Sequence, residues 1–338
     1  MSDHPFAQYV KVLGKGPNLS RALTQDETRA AVSMILAGQV EPVQLGAFLC
    51  LMRVKTETPD EVSGFALAIR DVIHPPADMP SVDLDWPSYA GKSRQLPLFV
   101  LSALLLAHNG VKVAMHGADG HTAGRLYTRD ALAALGITAA ADLTDAARQL
   151  RDANFTYVPM QVLHPRLVEI MELKQLLGLR SPLHTVARNL NPFNARASLM
   201  SVFHPNYRPV HCDASRLMGM DRIACFKGDG GEIERRPEKP CTVQGLLNGD
   251  MFEEEWPALV DNGPGNAADP DMNPARLAAL WRGEWSDSYA ETVVIATAAI
   301  ALRLLGRADR PDDAVALARR LWNERLAAGR LGAGSAIA

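Results

Sequence analysis

The apolar run from Leu96 to Leu106 sets the pattern of the chain. It is too long for one strand and too short for a membrane span. Asn109-Gly110 stops it as a helix, with the glycine free to take the left-handed cap conformation. Val111 to Met115 then reads as a short buried strand ended by His116-Gly117, and Asp130 to Leu135 as a helix stopped by Gly136. Together these make one α/β crossover. Ligands in such sheets bind beyond the carboxyl ends of the strands, so the segment from His116 to His121 lies where a site is expected.

Upstream, the apolar positions repeat at helical spacing three times. Thr24 with Glu27 forms a capping box ahead of Ala30, Ala31, Met34 and Ile35. Pro42 opens a helix carrying Leu45, Phe48, Leu49 and Met52, and Thr58 to Glu61 starts another through Phe65, Leu67 and Ile69. Residues 1–75 therefore read as a helical domain. His74-Pro75-Pro76 breaks the chain before an α/β domain over residues 76–338, and a helix near 165–178 joins the helical part. Strands are expected at Val82–Asp85, ending at Trp86-Pro87, at Phe155–Pro159, ending near Val202, and at Arg222–Phe226. Helices follow at His211–Gly219, Ser288–Leu305 and Pro311–Ala328. Met251 to Pro274, acidic and rich in Gly, Pro and Asn, reads as a mobile surface loop, and Gly329 to Ala338 as a frayed tail. The fold class is a small all-α domain on a larger α/β domain with a central, mostly parallel sheet flanked by helices.

Composition adds limits. With 338 residues, 47% hydrophobic and 22% charged, this is an ordinary globular composition. The four cysteines show neither metal-ligand spacing nor disulfide density, and Met1 to Gln8 has no apolar core, so a cytoplasmic protein is expected, with no membrane contact. The net charge of −3 conceals opposed segments. Lys174 to Lys227 carries eight basic residues against two acids, and Met251 to Ala290 the reverse. A basic face for anions is one consequence, and a solvated surface is the plainer one.

The pattern from Leu23 through Arg70 closely resembles the amino-terminal helical domain of anthranilate phosphoribosyltransferases, and Val111-Lys112-Val113-Ala114 with His116-Gly117 resembles their Lys-His-Gly-Asn-Arg strand end. The resemblance covers about residues 8–330. It implies a nucleoside phosphorylase/phosphoribosyltransferase-like fold of glycosyltransferase family 3 and a homodimer formed through the helical domain. The chemical motifs are rewritten. The family's Gly-Thr-Gly-Gly-Asp loop falls near Ala90 to Arg94, where Gly91 is the sole glycine. Lys, Asn and Arg of the second motif fall on Met115, Ala118 and Asp119, a substrate-binding Arg on Lys174, and the metal-binding Asp on Gly231, leaving Glu232. Asn191 with Pro192 keeps part of another family loop, and His204 before Pro205 reads as a helix-entry residue. Gly91, His116, Gly117, Asn191 and Glu232 are thus the vestige of a family site, with no catalytic set and no metal expected. A single carboxylate makes a poor Mg²⁺ site.

This combination resembles a nucleic-acid-binding, non-biosynthetic branch of the family, through the Tyr89–Arg94 loop, the Leu96–Phe99 helix start and the Arg188–Asn194 run. The resemblance implies a homodimer that binds DNA or RNA through phosphate contacts and without sequence preference. The candidate contacts are Lys92, Arg94, Lys174, Arg180, Arg188, Arg196, Arg235 and Arg236. No aromatic stacking platform is evident in the sequence. The alternative is a phosphoribosyltransferase with another acceptor, using phosphoribosyl pyrophosphate and Mg²⁺, and a third reading is a dimer with no ligand. No cofactor is expected outside the alternative, and anthranilate transfer is not expected.

Overall fold

The computed structural model describes residues 3–120, 122–264 and 267–326. Four helices come first: α1 (Ala7–Gly14), α2 (Gln25–Leu36), α3 (Pro42–Lys55) and α4 (Pro59–Asp71). Thr24 closes the expected capping box with Glu27, and Thr58 forms a second with Glu61, so both helix starts satisfy orphan N–H groups of their own first turn. Their apolar faces share one core, in which Phe6, Phe48, Phe65 and Ile69 are wholly buried.

The α/β part alternates as expected: β1 (Leu84–Ser88), α5 (Phe99–His108), β2 (Val113–Gly117), α6 (Thr128–Ala134), α7 (Leu143–Ala153) and β3 (Phe155–Pro159). The chain then returns to the bundle through α8 (Met160–Leu163), α9 (Pro165–Glu172), α10 (Lys174–Leu177) and α11 (Leu183–Val186). Leu167, Ile170, Leu183 and Val186 pack into the bundle's core. Next come β4 (Ala197–Val202), α12 (Arg208–Leu217), β5 (Arg222–Lys227), β6 (Cys241–Leu247), β7 (Asp250–Trp256), α13 (Ala275–Arg282), α14 (Ser288–Leu304) and α15 (Pro311–Glu324).

The strands lie in the order β3-β2-β1-β4-β5-β6-β7. β1 to β5 are parallel and the last two antiparallel. Five strands therefore end at one edge, where the connecting loops form the candidate site. Ser102 of α5 bonds Val294 of α14, and both helices cover the sheet with apolar side chains. Among the described residues no helix is long and apolar enough to cross a membrane.

Two expectations are corrected. The first strand begins at Leu84 rather than Val82 and runs through Pro87 to Ser88. β4 pairs with only Leu84 and Asp85, so the proline sits where the strand has β2 alone for a neighbour. Met251 to Trp256 is not loop but β7, joined to β6 by Asn248-Gly249, both at positive φ, a type of turn that favours hairpins. Its three glutamates, Glu253 to Glu255, keep an edge strand from pairing with other chains. The expected tail over 329–338 lies outside the described residues, as does His121.

Candidate anion-binding site

The loop after β1 turns on Gly91, whose φ of +67° aims successive backbone N–H groups at one point, as in an anion-binding nest. That point is already filled. Glu232, on the turn after β5, accepts from Ala90 N at 2.7 Å and Gly91 N at 2.6 Å through Oε1, and from Ser88 Oγ at 2.9 Å through Oε2. The carboxylate is 1% exposed. The chain thus supplies its own anion to the loop.

Lys92 follows the same inward logic. Its side chain is 1% exposed, and its ammonium contacts Asp229 and, at 2.5 Å, Glu234. Burial opposes the charge, but Glu234 and Asp229 overcome it and hold the lysine above its usual range. The other oxygen of Glu234 accepts from Phe99 N at 2.9 Å at the start of α5, where the helix dipole favours an anion.

The eight basic residues expected on one face are not brought together. Arg94 and Arg236 line a common cavity, with Lys92 at its floor. Arg188 turns inward, donating to Ser201 O at 2.9 Å, to His184 O and to Gly231 O. Burial, with the charge of Arg188 added, pushes the His211 imidazole down to about 3. Arg235 is wholly buried, 5.4 Å over the Trp256 ring, and its Nε and Nη1 have no hydrogen-bond partner among the described residues. A buried guanidinium cannot meet a solvent phosphate, which removes Arg235 from the expected surface, and the half-buried Arg188 spends its donors on backbone carbonyls. Arg196 precedes β4 and so lies at the opposite edge of the sheet from the strand ends. Arg180 is exposed between α10 and α11, outside the cavity lining. Lys174 reaches Thr122 at 3.5 Å in a second, smaller cavity.

His116, Gly117 and Asn191, read as the remains of a family site, are held within the frame of the sheet and its turns. His116 Nδ1 meets Tyr89 Oη at 2.6 Å and its Nε2 meets Asp85 at 3.0 Å, all of them buried. A Cβ on Gly117 would stand 2.2 Å from Ser88 O, so the glycine allows β1 and β2 their close approach. Asn191, at φ +37°, ties its own turn through Ala195 N at 2.7 Å and Ala195 O at 3.0 Å.

What the strand ends do form is a cavity of about 630 Å³ with seven basic side chains and one carboxylate, Asp229, in its lining. Four of the seven, Arg125, Arg208, Lys227 and Lys239, are not among the expected contacts. Arg125 donates to Ala90 O at 2.7 Å, and Arg208 to Thr242 O at 2.8 Å. Carbonyl partners leave the charge of both guanidiniums uncompensated. Lys227 and Lys239 are exposed and, among the described residues, have no carboxylate partner. Lys227 and Arg208 belong to the basic stretch visible in the sequence, whereas nothing local marks Arg125 or Lys239. The lining also holds Phe203, 58% exposed and edge-to-face with His204 at 4.9 Å. An exposed aromatic ring thus stands among these cations, which the sequence did not single out.

Mg²⁺ and phosphoribosyl pyrophosphate fit this arrangement poorly. Both oxygens of Glu232 are engaged, Gly231 offers no carboxylate, and a lysine ammonium holds the remaining acids. Among the described residues no three His, Cys, Asp or Glu side chains form a metal-holding group.

Comparison with known proteins adds the wider context. A profile described as the helical bundle domain of a glycosyl transferase family matches residues 7–72, and one described as its a/b domain matches residues 98–328. An anthranilate phosphoribosyltransferase of Moorella thermoacetica is 29% identical over 335 residues, 96% of each chain. An uncharacterized protein of Aquifex aeolicus is 30% identical over 224 residues, 66% of this chain and 68% of its own. Among solved structures, the anthranilate phosphoribosyltransferase of Thermus thermophilus superposes with a TM-score of 0.81 at 22% identity, covering 96% of both chains. That of Saccharomyces cerevisiae, in complex with PRPP and Mg, gives 0.76 at 15% identity, over 96% of this chain and 95% of its own.

Proposed function

Because the chain belongs to the glycosyl transferase family, matched in both its helical-bundle and its α/β domain, we propose that it binds nucleic acid on that scaffold without transferring a pentose. The reading rests on the cavity at the strand ends, whose lining carries seven basic side chains and one carboxylate. Lys92 and Arg236 are paired with Glu234 and Glu238, while Arg125, Arg208, Lys227 and Lys239 have no carboxylate partner among the described residues. Lysine and arginine contacts to phosphate supply affinity that is indifferent to sequence. The self-occupied loop supports the same reading, because Glu232 and the Lys92 ion pairs would have to come apart before a pyrophosphate and its metal entered.

We also propose a homodimer through the helical domain. Val43 and Val54 of α3 and Leu176 of α10 are 79%, 80% and 84% exposed, and Leu177 of α10 lies against Gly46 of α3. Apolar side chains this open on adjacent helices suit a second copy. Two-fold symmetry would double the cationic cavity although each chain carries −3 overall.

The second reading is a phosphoribosyltransferase with another acceptor. The relatives lie closer to it, since the full-length match from Moorella thermoacetica carries an anthranilate phosphoribosyltransferase name. One experiment separates the two: a salt series of nucleic-acid binding beside an assay of Mg²⁺-dependent phosphoribosyl pyrophosphate consumption. Binding should weaken by about 0.7–0.9 log units per phosphate contact for each decade of salt, with no consumption. Consumption without binding would establish the second reading, and neither would leave the ligand-free dimer.

A further inference from the structure

We infer that the cavity at the strand ends is a single-strand site, in which a phosphate enters among the cations while its base stacks on Phe203. This rests on the nucleic-acid reading above and narrows it to one strand form. Phe203 follows β4 directly and lines the same cavity as Arg208 and Lys227. It is 58% exposed, unusual for a phenylalanine beside so much charge, and its edge-to-face neighbour His204 is itself exposed. An open aromatic face flanked by lysine and arginine is the pairing that holds unstacked bases, because every base has a π-face and every nucleotide a phosphate. Pro205 continues the apolar side of the lining, and Arg94 and Arg125 stand with the cationic one.

The shape of the site favours a flexible strand over a duplex. Lys92 is spent on Asp229 and Glu234, but Arg125 and Arg208 are half-buried against wall carbonyls, so part of the open positive charge is recessed. A duplex keeps its bases stacked inside and offers only phosphates on a stiff outer surface, with nothing for Phe203. A single strand can bend a phosphate inward and turn one base onto the ring at small cost.

The test uses the intact protein, a 20-nucleotide oligo-dT, a duplex of the same length, and an oligonucleotide of that length carrying abasic sites throughout. Phe203→Ala should weaken binding of oligo-dT roughly tenfold. It should leave the salt slope unchanged, because stacking releases no counterions. Binding of the abasic strand should not change, and Phe203→Trp should restore affinity for oligo-dT. The wild type should prefer oligo-dT to the duplex. Equal affinity of Phe203→Ala and wild type for oligo-dT would overturn the inference. So would an equal loss on the abasic strand, which would mean the ring only shapes the cavity, or a preference for the duplex. If wild type binds none of the three at low salt, the nucleic-acid reading itself fails, an outcome distinct from a failed Phe203 contrast.

Discussion

Two cavities open at the carboxyl edge of the sheet, and they handle charge in opposite ways. The larger, beside the ends of β1, β4 and β5, is lined by seven cations and one carboxylate. The smaller, about 320 Å³ beside the ends of β2 and β3, holds as many acids as bases. There Arg129 pairs with Asp119 at 2.8 Å, Tyr157 Oη donates to Asp119 at 2.9 Å, and Met160, Val168 and Met171 supply apolar wall. A neutral, half-apolar space has little attraction for a phosphate chain. On the reading proposed above, an anion site follows from uncompensated charge in one concavity, and a surplus of basic residues along the chain does not by itself make one.

Neutralising each cavity in turn should give the largest difference. Exchanging Arg94, Lys227 and Lys239 together for Gln removes three exposed cations from the larger cavity. Nucleic-acid affinity at low salt should fall about a hundredfold, and the salt slope by about two units, on the scale of 0.7–0.9 per contact. Lys174→Gln with Arg196→Gln, in the smaller cavity and at the far edge of the sheet, should change affinity by less than about twofold. A larger loss from the second pair than from the first triple would reverse the assignment of the two cavities.

Occupancy of the nest gives the next largest effect. Glu232→Ala would leave Ala90 N and Gly91 N buried without an acceptor, at a cost of about 2 kcal/mol in urea unfolding. Inorganic phosphate at millimolar concentration should raise the melting temperature of this variant more than that of wild type, because the freed loop N–H groups add donors that the wild type spends on Glu232. Glu232→Gln keeps an acceptor oxygen in place and should show neither effect. Equal phosphate response of wild type and Glu232→Ala would mean that the carboxylate is no plug.

Much of the fold is legible because its signals are local. Thr24 and Glu27, or Thr58 and Glu61, lie three residues apart and define helix starts by themselves. The apolar Leu96–Leu106 run and the Val111–Met115 strand are set by neighbouring residues in the same way. The site depends on partners far away in the chain. Lys92 reads as a surface cation until Asp229 and Glu234, 137 and 142 residues on, close around it. Glu232 reads as half of a metal pair until the loop N–H groups, 141 and 142 residues away, turn out to hold it. Arg235 stands beside Arg236 in sequence, yet one is buried over Trp256 and the other lines the cavity. The β6–β7 hairpin is an intermediate case: Asn248-Gly249 announces the turn, while the acidic strand after it conceals the pairing.

The smallest effect belongs to the ion pair of the second cavity. Burial, which Tyr157 and Arg129 only partly offset, holds the Asp119 carboxyl above the usual aspartate range. A carboxyl whose folded value is raised binds its proton more firmly in the native state than in the unfolded one. Its contribution therefore favours the fold on the acid side and declines as pH rises through that window. Asp119→Asn holds the group permanently uncharged and still accepts the Tyr157 hydroxyl. At neutral pH the variant should match wild type to within about 1 kcal/mol, since Arg129 is 40% exposed and such pairs are worth little. Between neutral pH and the acid side of the window, urea unfolding should show wild type gaining on the variant. Nucleic-acid affinity should stay the same throughout, because this cavity takes no part in holding phosphate. Loss of binding in Asp119→Asn would join the two cavities into one site and remove the distinction between them.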